Sequence, residues 1–132
     1  MLDQNTLDQF TGTERYTSLK PLFPNVVLTD GVRYVAEQGG ANGAFWLINA
    51  IASYQPQLMK HEMCQDMQFW TLTVNADKSA DLVCVPDTDL PPVVQQHFER
   101  TDFDISPFKI WVAPQWLDDN KIVMVQLLPS EY

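Results

Sequence analysis

The chain has 132 residues, 45% of them apolar, and a formal charge of −9 from 17 acids against 8 Lys and Arg. That length suits one domain over residues 1–132 with a true core, and that apolar content excludes a disordered chain. The charge excludes the basic footprint of a nucleic-acid binder and disfavours an anionic membrane, so the expected partners are a basic protein, a cation or none.

Residues 3–10 read as a short helix, capped by Asp3, with Leu7 and Phe10 on one face and Gly12 beyond its end. Residues 14–28 hold Pro21 and Pro24 and read as extended or turning, with Val26-Val27-Leu28 as a short buried strand. Thr29-Asp30 offers an N-cap to a helix bearing Val32, Val35 and Ala36, which Gly39-Gly40 interrupts. A second helix, from about Asn42 to Tyr54, is apolar nearly all round, the pattern of a buried helix; Pro56 is placed to stop it.

After Lys60 the period changes to two. Residues 68–75 and 80–85 predict a hairpin around Asn75-Ala76-Asp77-Lys78. Residues 86–92 predict a loop, and 94–102 fit a helix or a strand equally. Residues 108–113 and 121–128 predict strands joined around Trp116–Asn120. The expected architecture is α+β, with N-terminal helices packed on a four- or five-stranded, mainly antiparallel sheet. Both faces of that sheet are apolar: Trp111 and Ala113 oppose Phe108, Ile110 and Val112. The N-terminal segment, a second copy in a homodimer, or another protein is expected to cover the second face.

The acidity is uneven. Residues 1–65 hold six acids and four bases; residues 66–132 hold eleven acids and four bases. Asp87-Thr88-Asp89, Asp102-Phe103-Asp104 and Asp118-Asp119 are paired carboxylates of the kind that hold a divalent cation, work as acid and base, or cap their own turns. A line of acids from Asp81 to Asp104 could instead mimic a nucleic-acid backbone and occupy a basic groove. His61 and Cys64 stand three apart, half a metal site if helical. Cys64 or Cys84 with His97 is a conceivable nucleophile pair, though no basic neighbour activates either thiol. Gly39-Gly40-Ala41-Asn42-Gly43 follows a helix rather than a strand and lacks a P-loop lysine, so it reads as a hinge. Trp111 beside Phe69 would make an interface anchor. No pattern calls for a cofactor, a resident metal or a catalytic residue. Without an apolar leader at Met1-Leu2-Asp3-Gln4-Asn5, and with two cysteines, a cytoplasmic location is expected.

Several phrases occur together: Phe10-Thr11-Gly12-Thr13-Glu14, Thr29-Asp30-Gly31-Val32-Arg33-Tyr34, Phe45 to Ser53, Trp70-Thr71-Leu72-Thr73-Val74, Thr101-Asp102-Phe103 and Leu128-Pro129-Ser130-Glu131-Tyr132. As a set they resemble an uncharacterised bacterial family, a domain of unknown function met in cyanobacteria and other bacteria, on plasmids and on phages. This chain differs in carrying extra residues around Gly39–Gly43, and Asn49 where the family often has an acid. The resemblance implies no activity, cofactor or site residue; its link to mobile elements implies a protein that acts on other proteins. The expected function is a non-enzymatic protein-binding or regulatory domain, partnered by another protein or by itself, with Phe69, Trp111, Asp87, Asp89, Asp102 and Asp104 as its surface. The alternatives are a small metal-dependent or hydrolytic enzyme and an acidic mobile-element inhibitor of a basic protein.

Overall fold

The computed structural model describes residues 2–118 and 121–132. In chain order its elements are α1 (Gln4–Leu7), β1 (Thr17–Leu19), β2 (Phe23–Leu28), α2 (Asp30–Gln38), α3 (Phe45–Ser53), α4 (Gln55–Leu58), β3 (Gln68–Val74), β4 (Ala80–Val85), β5 (Val94–Phe98), β6 (Phe108–Asp118), β7 (Lys121–Leu127) and a 3-10 turn at Pro129–Glu131. The strands form one seven-stranded sheet in the order β1-β2-β7-β6-β3-β4-β5. Neighbours are antiparallel except β2 and β7, which run parallel through Val26–Met124, Val27–Val125 and Leu28–Gln126. A parallel pair needs a crossover, and the chain leaving β2 crosses one face of the sheet as α2 and α3 before it returns.

The chain is α+β, but the sheet is larger than four or five strands, is mixed, and does not simply follow the helices. Strands β1 and β2 precede α2. The expected strand Val26–Leu28 is the stretch of β2 that pairs with β7; Pro21 and Pro24 argue locally for a turn, yet Pro24 lies outside that stretch and beside the β1 irregularity at Ser18–Leu19. Its missing N–H therefore breaks no bond of the β2–β7 ladder. The ambiguous segment is a strand: Val94, Gln96 and Phe98 turn inward while Gln95 and His97 are exposed, a period of two. Pro56 does not end the helical path. It stands in the first turn of α4, where a proline's missing amide is tolerated. The strand starting at Phe108 runs on to Asp118; Asp119 and Asn120 of the expected turn lie outside the described residues.

The core lies between α2, α3 and the inner face of the sheet. Val32, Val35, Leu47, Ile48 and Ile51 from the helices meet Leu28, Trp70, Leu72, Leu82, Ile110, Val112 and Met124 from the strands. Buried amides sit among them. Gln68 Nε2 donates to Gln55 Oε1 (2.8 Å) and to the Cys64 carbonyl (3.2 Å). Gln68 Oε1 accepts from Gln55 Nε2 (2.9 Å) and from the Trp70 indole (3.0 Å). Gln126 Nε2 donates to the Ile48 carbonyl at 3.0 Å, and its Oε1 has no partner among the described residues. Buried amides must be bonded to be tolerated, so Gln55 and Gln68 fix one register of α4 on β3.

Two polar clasps hold the loops. At the start of α2 the Thr29 hydroxyl accepts the Val32 amide (3.3 Å) and donates to Glu131 Oε1 (2.6 Å). Glu131 also accepts the amides of Gly31 (3.1 Å) and Leu128 (2.9 Å), placing a carboxylate on the positive end of the helix. A Cβ on Gly31 would come within 2.6 Å of Glu131 Oε1, so the clasp needs glycine there. The second clasp lies between α2 and α3. Asp104 Oδ2 accepts the amides of Gly40 (3.0 Å) and Leu2 (3.1 Å), and Asp102 Oδ2 accepts the Ala41 amide (2.8 Å). Gly40 has a φ of +61° and lies so close to Asp102 that a side chain would clash.

Candidate functional site

Alternation places odd-numbered residues of β2, β3, β4, β5, β6 and β7 on the face away from α2 and α3. Val27, Val123, Val125 and Leu127 form a buried cluster there, flanked by Trp111 and Ala113. The covering of this face comes from side chains rather than a second layer of helix, among the described residues. The register lines up Phe69, Trp111 and Leu127 across three strands. The Trp111 ring meets Phe69 edge-on at 5.3 Å and Tyr132 edge-on at 5.4 Å, the geometry aromatic quadrupoles favour. Tyr132 remains 77% exposed, and Phe69 and Trp111 are half-buried. Beside Phe69 a shallow cleft of about 270 Å³ is lined by Met63, Asp66, Met67, Pro86 and Asp87.

The far end of the same face is polar. His97 Nδ1 meets Asp81 Oδ1 at 2.6 Å, and Asn75 donates to Asp81 Oδ2 at 3.1 Å. The hydrogen bond to Asp81 raises the His97 pKa above its ordinary value, and the bond from His97 lowers that of Asp81. Asp77 is lowered too, by the hydroxyl and amide of Ser79.

Of the residues the sequence singles out, Phe69 and Trp111 stand in contact and Asp87 lines the adjoining cleft. Asp89 is exposed in the same turn, with a φ of +66°. Asp102 and Asp104 are elsewhere, accepting backbone amides in the clasp on the Gly39–Ala41 loop. Tyr132, Met63 and Met67 also belong to the face, and local pattern does not announce them. Tyr132 arrives only because Glu131 docks on α2, a contact 100 residues away in the chain.

The chemistry-bearing pairs are kept apart. Cys84 faces the core while His97, on the neighbouring strand, faces outward. Burial pushes the Cys84 thiol up to about 12 and raises that of Cys64, so neither forms a thiolate near neutrality. His61 is half-buried, and its Nδ1 accepts the amides of Met63 (3.2 Å) and Cys64 (3.3 Å), which makes it a turn cap. Among the described residues no three His, Cys, Asp or Glu side chains gather as a metal set. Asp118-Asp119 extends outside them. No helix among them is long and apolar enough to cross a membrane.

The chain belongs to a family of unknown function, DUF6876, whose profile matches residues 1–132. No curated protein and no solved structure matches it. Three of the phrases that carry the resemblance converge on the start of α2. Thr13 Oγ1 accepts the Asp30 amide (2.9 Å), Glu14 N–H donates to Asp30 (2.9 Å), Phe10 packs on Tyr34, and Glu131 closes the clasp. A fourth, Thr101-Asp102-Phe103, holds the glycine loop. Those phrases therefore describe how the domain is locked together.

Proposed function

We propose that this chain is a non-enzymatic protein-binding domain that presents the outer sheet face to a partner apolar at its centre and basic at its rim. The observation that carries the reading is the Phe69–Trp111–Tyr132 row, half-covered and continuous with the methionine-lined cleft. Large aromatics at the middle of a patch are the residues that dominate binding energy, and methionines adapt to varied apolar shapes. Asp66 and Asp87 in the cleft, with Asp89 beyond, supply negative charge that would steer a basic partner and exclude acidic ones.

Charge also ranks the partners. Two copies of this chain would bring together surfaces of −9 each, a repulsion that a heterologous basic partner would turn into attraction. In its narrower form the reading is a bacterial, cytoplasmic regulator that acts on a basic protein; self-association is the other outcome of the test. Affinity capture from bacterial cytosol with the wild type, Trp111→Ala and Asp66→Lys/Asp87→Lys, beside sedimentation of the pure protein, distinguishes them. The reading expects a monomer and a salt-sensitive partner lost in both variants. A stable dimer broken by Trp111→Ala would transfer the face to self-association. Capture unchanged in both variants would overturn it.

A further inference from the structure

The sheet ends in two edge strands, β1 and β5, and they are finished differently. β1 is three residues long, its pairing slips at Ser18–Leu19, and Lys20 and Pro21 follow at once. A short, irregular edge beside a lysine and a proline is a poor template for another strand. β5 is five residues long, Val94-Gln95-Gln96-His97-Phe98, stays in register with β4 throughout, and holds neither lysine nor proline.

The ladder fixes which backbone groups of β5 are already used. At the β3–β4 turn the Asn75 backbone N–H donates to the Ser79 carbonyl at 2.8 Å. Residues of a central antiparallel strand bond alternately to its two neighbours, so Asp81, Val83 and Val85 turn to β3, and Ala80, Leu82 and Cys84 turn to β5. The Cys84 carbonyl accordingly accepts the Val93 amide at 2.8 Å. The partners of Ala80, Leu82 and Cys84 are Phe98, Gln96 and Val94. The backbone N–H and C=O of Gln95 and His97 therefore point outward from the edge, and no group among the described residues bonds to them.

The helix α3 lies over the inner side of this edge. The Trp46 ring meets Phe98 edge-on at 5.0 Å, and the Tyr54 hydroxyl donates to Gln96 Oε1 at 2.8 Å. Trp46, Ala50 and Tyr54 stand four apart along α3 and its C-terminal cap, one stripe, and each is only partly covered. On the outer side the charges that act on His97 are those of Asp81, Asp77 and Glu99, all acids. Lys78 and Arg100 line a recess beyond the end of β5, together with Asp102. An open row of amides and carbonyls at strand spacing specifies its occupant as an extended backbone. The acids at His97 and the −9 on every copy select against a second copy of this chain and for a basic segment.

We propose that β5 is a docking edge which an extended segment of a partner protein joins as a further strand, apolar side chains on the α3 side and basic ones on the His97 side. Two strands separate it from Phe69, so it does not depend on the aromatic row. The test is amide hydrogen exchange, read residue by residue by NMR, without and with an end-blocked peptide of about eight alternating valines and lysines. In the free protein Gln95 and His97 are expected to exchange at least tenfold faster than Gln96 and Phe98, and saturating peptide is expected to slow both at least tenfold. By calorimetry, the peptide N-methylated at every backbone amide, or with glutamate for lysine, is expected to bind at least tenfold more weakly. The same loss is expected for the original peptide with Gln95→Pro, which removes an outward amide and spares the ladder to β4, and with Ala50→Glu, which charges the apolar stripe. Thermal melts of both variants identify loss of fold. Gln95 and His97 left unprotected by saturating peptide, equal binding of the N-methylated peptide, shift changes confined to Phe69 and Trp111, or a dimer of the pure protein that protects the same two amides would overturn the proposal.

Discussion

The two faces of the sheet are both apolar, and they are finished by different means. The inner face is sealed by helices, and two of its buried amides are bonded to each other: Gln68 and Gln55 leave no donor or acceptor open between them. The outer face has an equally dry centre at Val123, 1% exposed, but it is flanked by side chains, Trp111 and Ala113, with Phe69 and Tyr132 packed on the Trp111 ring. A helix covering a face fixes it in one state. Aromatic side chains covering a face leave edges and rotamers that a partner can engage. On the proposed reading the difference separates stability from recognition, and it sets the order of expected effects.

The largest effect belongs to the inner face. Trp70 is 1% exposed, and Trp70→Ala is expected to cost about 3–5 kcal/mol through the cavity it leaves, measured by urea unfolding. Gln68→Leu comes next, at about 1–3 kcal/mol, because it orphans the Gln55 amide and the Trp70 indole inside the core. Trp111→Ala on the outer face is expected to cost only about 1 kcal/mol while removing partner capture; a loss matching that of Trp70→Ala would erase the distinction between the faces. Glu131→Ala links the two regions. It should cost about 1 kcal/mol by uncapping α2, and should also release Tyr132 from Trp111, visible as a red shift in tryptophan emission.

The smallest effect is that of pH on the polar end of the outer face. His97 has a raised pKa, so its contribution is full below its ordinary 6.5 and fades as pH rises through the folded value. Asp81 has a lowered pKa, so its contribution is full above its ordinary 3.8 and fades as pH falls through the folded value. The pair therefore stabilises most between those limits. Because it is exposed, the unfolding midpoint of wild type relative to His97→Gln should shift only slightly, being higher at pH 5 than at pH 8. A difference that grows at pH 8 would contradict the assignment.

Much of the fold was legible because local signals agree with tertiary ones. The Thr29 cap, the α2 stripe, the β3–β4 hairpin and the apolar outer face all follow from spacing. What was hidden depends on partners far away in the chain. Val26–Leu28 reads as a strand, but β1 and the start of β2 look like turn sequence until they pair with each other. Asp102 and Asp104 look like a solvent-facing acid pair until the glycine loop reaches them. For the same reason the aromatic pair at Phe69 and Trp111 could be named in advance, whereas Tyr132 and the two methionines could not.

Site-specific photo-crosslinking tests the role of the outer face most directly. A benzophenone side chain would be placed at Lys109 and Val85 on that face, and at Arg33 and Ser53 on the outside of the helices. The account predicts a discrete adduct from positions 109 and 85 that disappears in high salt, and none from 33 or 53. Adducts confined to the helical positions would place recognition on the other side of the molecule and contradict it.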